Sequence, residues 1–136
     1  MKRPGVSLLN ISISLLFLFF NTLSGSGIIQ NSPSVFFEQG EKFQVSGNFE
    51  QSIENFQKFL ETSPENSFPE KKIHAEIKLG VLFWNIGDLN QSKNYYEKAQ
   101  NSAKKLGLSD LEKSAKKALE IHRLYDQGKS FRGDGK

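Results

Sequence analysis

The chain contains no cysteine among its 136 residues. That excludes a disulfide framework, a cysteine nucleophile, a thiolate metal site and a lipid-modified N-terminal cysteine. Histidine is nearly absent too, with only His74 and His122, and no ordered Ser/His/Asp set or paired carboxylates stand out. Catalysis therefore has no visible residues, and no cofactor is implied. Acidic residues are missing from positions 1–27. No apolar run reaches the roughly 20 residues that a membrane-spanning helix needs. What remains is a single small domain, 37% hydrophobic and 24% charged, with room for one core.

At the N-terminus, Lys2 and Arg3 precede a mostly apolar, uncharged stretch from Val6 to Phe20, followed by Ser24, Gly25, Ser26 and Gly27. This is the order of a secretory signal: a basic start, an apolar segment, then a small-residue cleavage site. Cleavage is expected after Ser26 or Gly27, so that 1–27 is a signal peptide and the mature protein is periplasmic or secreted. The alternative is an uncleaved anchor, but Asn10, Ser12 and Ser14 dilute the stretch. Removing the segment takes the formal charge from +3 to +1. The remainder is dipolar: residues 28–92 carry net −4 and residues 93–136 net +5. Lys104, Lys105, Lys113, Lys116 and Lys117 alternate with Glu112, Glu120 and alanines, which describes a solvated helix face rather than a nucleic-acid surface. No nucleic-acid partner is expected, and a membrane partner only if the signal segment is retained. The opposite charges of the halves also fit head-to-tail self-association.

The dominant feature is an internal repeat. Phe36-Phe37-Glu38-Gln39-Gly40 is followed by Phe43 and by Gly47-Asn48-Phe49. Glu76-Ile77-Lys78-Leu79-Gly80 is followed by Phe83 and by Gly87-Asp88-Leu89. Leu124-Tyr125-Asp126-Gln127-Gly128 is followed by Phe131 and by Gly133-Asp134-Gly135. In each copy a glycine is followed three residues later by Phe and seven residues later by another glycine. Ser52, Phe56 and Phe59 after the first copy correspond to Ser92, Tyr96 and Ala99 after the second.

This ordered set resembles the tetratricopeptide repeat family across nearly all of the mature chain. The resemblance implies an all-α array of antiparallel helical hairpins over residues 28–131, with 132–136 as a flexible tail. Gly40, Gly80 and Gly128 take the place of the family's small residue, which lets the paired helix approach. Phe43, Phe83 and Phe131 take the aromatic position between the helices. Gly47 and Gly87 take the turn, and Pro64 the terminal proline. Glu76 stands where the family has a large residue, and Gln39 where it has leucine. The first glycines are 40 and then 48 residues apart, against about 34 in the family, so the linker near Ser63–Pro69 and the second helix of copy two are expected to be longer.

Local signals agree. Ser32 can cap a helix whose first position is Pro33. Ile53, Phe56, Phe59 and Leu60 recur at helical spacing, as do Ile73, Ile77, Leu79, Leu82 and Phe83. Gly107 is expected to stop a helix from about Leu89 to Leu106. Ser109-Asp110-Leu111-Glu112 fits a capping box for a final helix, which can lay Leu111, Ala115, Ala118, His122 and Tyr125 against the second repeat. The third copy has no second helix before Lys136. It is expected to be a terminal cap, the front of a longer array, or both.

Other short motifs carry less. Gly128-Lys129-Ser130 lacks the glycine and the strand of a phosphate loop. Arg132-Gly133-Asp134 matches the integrin tripeptide over three residues, and Asn90-Gln91-Ser92 a glycosylation acceptor. The two histidines sit about one repeat apart, too far to share an ion, so no metal is expected.

The resemblance implies that the first helices line a groove for a partner's peptide or helix. The implied groove residues are Phe37, Glu38, Glu41, Gln44 and Val45; His74, Ile77, Lys78, Val81, Trp84 and Asn85; and Tyr125, Asp126 and Lys129. Phe37, Trp84 and Tyr125 would be the aromatic anchors, although packing between repeats explains Phe37 and Val81 equally well. Glu41 and Lys78 do not reproduce the asparagine and basic clamp by which some members hold chaperone C-termini. The resulting expectation is a non-catalytic, exported protein-interaction module, an adaptor or scaffold. The alternatives are a self-assembling structural protein and the leading module of a larger enzyme or sensor.

Overall fold

The computed structural model describes residues 32–133, with side chains through Ser130. The expected signal segment 1–27 lies outside the described residues, as do 28–31 and 134–136. The described residues form five helices and no strand: α1 (Pro33–Val45), α2 (Phe49–Thr62), α3 (Pro69–Asn85), α4 (Leu89–Leu106) and α5 (Ser109–Gly133). None of these helices is long and apolar enough to cross a membrane.

Three helix ends share one construction. Gly47, Gly87 and Gly107 have φ of 78°, 83° and 69°, a left-handed conformation that other residues adopt only at a cost. Each lets the chain close two hydrogen bonds back onto the helix just ended. Asn48 N donates to Phe43 O, Asp88 N to Phe83 O and Leu108 N to Ala103 O, each at 2.9 Å. The glycine N–H groups bond to Gln44 O, Trp84 O and Lys104 O at 3.1–3.2 Å. These are Schellman ends. The turn at Gly107, not a capping box, starts α5: Glu112 N bonds to Leu108 O at 3.0 Å, so Ser109 is already helical. The end of α5 also differs from expectation, because the helix continues to Gly133, through Arg132 and Gly133 of the anticipated tail.

α1–α2 and α3–α4 are two copies of one hairpin. Ser52 Oγ donates to Gly40 O at 2.7 Å, and Ser92 Oγ donates to Gly80 O at 2.7 Å. Beside these bonds lie the rings of Phe56 and Tyr96. A Cβ at Gly40 would stand 2.9 Å from the Phe56 ring, and one at Gly80 2.7 Å from Tyr96. Both glycines thus permit a helix approach closer than alanine would. The hairpins share a core of Phe37, Ile53, Phe56, Phe59, Ala75, Leu79, Leu82 and Phe83. The extra spacing between copies is a linker from Ser63 to Phe68, held by Lys72 Nζ donating to Pro64 O at 2.6 Å and Glu65 O at 3.0 Å.

α5 packs back on the second hairpin. Ala115 joins a small cluster with Ile73, Ala99 and Ala103, flanked by Ile77, Leu108 and Leu111. Gly128, near its far end, has nothing within 4 Å of where a Cβ would stand. The same motif position should therefore respond with opposite signs. We expect Gly80→Ala to destabilise by about 1–3 kcal/mol through overpacking, and Gly128→Ala to stabilise by about 0.5–1 kcal/mol through helix propensity. Urea midpoints of the two variants check this.

Candidate functional site

The groove residues implied by the repeat fall into three groups. Glu41, His74 and Lys78 come together with Phe37, Phe68, Pro69, Glu70 and Lys71 around a concavity of about 650 Å³ between α1 and α3. Within it, Lys78 Nζ lies 3.2 Å from Glu41 Oε1 and 3.5 Å from Gln44 Oε1, so one ammonium ties the two first helices. Glu38 and Asn85 are exposed, and Val81 retains 37% of its surface.

The second group is buried or engaged elsewhere. Phe37, expected as an anchor for a partner, is only 6% exposed. Its ring meets Phe56 and Phe59 edge-on, with centroids 5.4 and 5.1 Å apart, and Lys71 Nζ covers it at 4.8 Å. The ring enters the core shared by the two hairpins, where packing removes its apolar surface from water. Ile77 likewise packs against the cluster of Ile73 and Ala99 rather than lining the groove. Trp84 lies edge-on to His122 at 4.6 Å and to Tyr125 at 5.4 Å, so it fastens α5 to α3.

The third group, on α5, lies apart from the concavity. Tyr125 is 38% exposed, with Lys129 Nζ 4.8 Å above its ring, and Asp126 is exposed nearby. Val45, at 90% exposure, makes no wall.

His122 is 3% exposed, and its Nε2 is 2.8 Å from Ser92 Oγ. Because the Ser92 proton is directed to Gly80 O, the hydroxyl accepts from Nε2–H, which places a proton on Nε2. Burial pushes the His122 pKa below its ordinary value, helped by Lys93 and opposed by Asp126. This ring ties α5 to α4.

The hydroxyl, glycine and aromatic interlock of α3 and α4 is the pattern read from the sequence, now closed in space. The family model described as tetratricopeptide repeat matches residues 77–106. Over that stretch the chain is similar to the family. No curated protein and no solved structure matches the chain. α3, in which the match begins, supplies His74 and Lys78 to the concavity.

Sequence reasoning missed Phe68, Glu70 and Lys71. Lys71 stands three and seven residues before His74 and Lys78, a helical spacing that could have revealed it. Phe68 has φ 54°, and this left-handed conformation at the start of α3 could not be read from its residue type. Also missed was a cleft of about 710 Å³ lined by α2, the linker, α3 and α4, with Gln57, Leu60, Lys72, Glu76, Tyr95 and Lys98 among its walls. Glu76 Oε2 is buried there without a hydrogen-bond partner. Burial raises the Glu76 pKa to about 7, although Lys98 and Lys72 pull it down. Among the described residues, no cluster of three or more His, Asp or Glu converges.

Proposed function

We propose that the chain is a non-catalytic protein-interaction module that holds a segment of a partner protein between α1 and α3. The observation that carries this reading is the concavity of about 650 Å³ shared by the first helices of both hairpins, beside residues that match a tetratricopeptide repeat. Its walls suit a peptide of mixed character. Lys71 and Lys78 offer cationic hydrogen bonds, Glu70 and His74 polar contacts, and Phe68, 43% exposed, an apolar surface. Because Phe37 is core, a test by Phe37→Ala would confuse unfolding with lost contact. The groove is better probed at Lys71, His74 and Val81.

We further propose that this module works outside the cytoplasm as an exported adaptor. Support comes from Lys2, Arg3, the apolar stretch Val6–Phe20 and the small residues Ser24–Gly27.

The test is capture in the native host. The full chain, tagged at its C-terminus, is gently crosslinked and the copurifying proteins are identified by mass spectrometry, alongside a Lys71→Glu/His74→Ala/Val81→Glu variant. A distinct protein recovered with the parent and lost with the variant is the expected outcome. Recovery of the chain alone, unaffected by the variant, would overturn the groove reading in favour of self-assembly. Cell fractionation with N-terminal sequencing of the same material is expected to show a start just after Ser26 or Gly27. A cytoplasmic chain beginning at Met1 would remove the export proposal.

A further inference from the structure

Three segments of this chain carry the glycine motif, and among the described residues a helix covers only two of the glycines. The Phe56 ring lies against Gly40 and the Tyr96 ring against Gly80, whereas Gly128 faces open space. On the same side of α5 stand Leu124, 54% exposed, and Ile121, 51% exposed. Steps of three and four residues keep them in line with Gly128. Lys117 continues that line by one more turn, with exposed Lys113 beside it, 3.7 Å from Asp110. The opposite side of α5 is committed to the second hairpin through Ala115 and His122. The strip is thus apolar at its centre, lacks a side chain at Gly128 and is basic at its amino end.

We propose that the strip Lys117–Ile121–Leu124–Gly128 docks an acidic amphipathic helix of a partner protein, one carrying a hydroxyl residue and an aromatic residue four positions later. The two covered glycines define this chemistry. Ser52 with Phe56, and Ser92 with Tyr96, each set a ring on the bare glycine while the hydroxyl donates to its carbonyl oxygen. Charge selects between helices of that type. Residues 93–136 carry net +5, and the strip itself begins with lysine, so an acidic helix is attracted and a basic one repelled.

The chain supplies its own probes, because α2 and α4 both carry the hydroxyl and aromatic pair. The segment Phe49–Thr62 has three Glu and one Lys, while Leu89–Leu106 has four Lys and one Glu. Synthetic, labelled peptides of residues 49–62 and 89–106 are titrated with the full chain and followed by fluorescence anisotropy. The 49–62 peptide is expected to bind, the 89–106 peptide about tenfold more weakly at low salt, and the difference to shrink as salt is added. Leu124→Glu in the protein, at an exposed position, is expected to weaken the 49–62 peptide by at least about tenfold while leaving the circular dichroism melt unchanged. Phe56→Ala in the peptide should do the same.

Binding that ignores Leu124→Glu would mean the peptide exchanges into the first hairpin, and the proposal fails. Equal or tighter binding of 89–106, or none of 49–62 up to ~1 mM, also overturns it. If the chain alone self-associates and Leu124→Glu dissolves the assembly, the occupant is a second copy and the partner helix is wrong. None of these results depends on the groove between α1 and α3, whose variant is expected to bind the 49–62 peptide as the parent does.

Discussion

Replacing Phe56 by alanine should destabilise the domain by about 3–5 kcal/mol, the usual range for a buried aromatic. Its ring is fully buried and serves three neighbours at once. It lies on the bare backbone of Gly40, meets Phe37 edge-on at 5.4 Å, and belongs to the core that joins the first hairpin to Ala75 and Leu79 of α3. Loss of the ring leaves a cavity beside a glycine, which has no side chain to relax into it, so the upper half of the range is expected. A domain of this size has about 5–15 kcal/mol in total, and the variant should be close to unfolding at room temperature. Phe68→Ala, at a ring that is 43% exposed, should cost under about 1 kcal/mol. Urea unfolding can be followed through Trp84, the single tryptophan, whose indole is set against His122 and Tyr125. Equal midpoint shifts for the two phenylalanines would contradict the core described here.

The second large effect belongs to Glu76, and it depends on pH. Its pKa is raised from 4.5 to about 7 in the folded chain, because burial disfavours the charged form more than Lys98 and Lys72 favour it. The folded state therefore holds the proton more tightly than the unfolded chain does. Stability associated with this group is complete below about pH 4.5, falls as pH rises towards 7, and is fully lost above that. The shift sets a ceiling of about 3 kcal/mol, and partial contact with solvent reduces the expected penalty to about 1–2 kcal/mol. Glu76→Gln should therefore be more stable than the parent at pH 8 by that amount and nearly equal to it at pH 4. Glu76→Leu should gain at least as much at pH 8, since it fills a cleft wall beside Leu60 and Ile73 with no polar atom to bury.

His122 acts in the opposite direction. Its folded pKa is lowered, so its contribution is present above the ordinary histidine value near 6.5 and is lost as pH falls through the folded one. In the parent the two trends partly offset each other between about pH 4.5 and 7. In Glu76→Gln only the histidine trend remains, so stability should climb with pH across that window. Denaturant titrations at several pH values separate the cases, and parallel profiles for parent and Glu76→Gln would show that Glu76 is not the group responsible.

Much of the architecture lies in short-range patterns. A glycine at a helix end can take the left-handed backbone that closes a Schellman turn, so Gly47, Gly87 and Gly107 mark their turns locally. The pairing of Gly40 with Ser52, and of Gly80 with Ser92, spans twelve residues, a distance set by one hairpin turn. Recurrence of that pattern made the all-helical hairpin array readable in the chain, and the resemblance built on it implied a shared groove for Glu41, His74 and Lys78.

Which faces the hairpins present to each other is a different matter. Helical spacing places Phe37 on the same side as Glu41 and Gln44, but only the rotation of α1 over α2 decides that its ring enters the core while Lys71 covers it. Trp84 and Tyr125 have the residue types of interface anchors, yet α5 folding back sets them edge-on to each other and Trp84 edge-on to His122. The proton on His122 Nε2 follows from a hydroxyl thirty residues away, its lowered pKa from burial between helices, and the high pKa of Glu76 from the walls of three helices. Sequence alone therefore determined the hairpin units of this protein, because turns and helix periodicity are interactions between near neighbours. Tertiary structure decided which aromatic rings are core and which carboxylate is desolvated, because burial is a property of surfaces that meet only after the helices have packed.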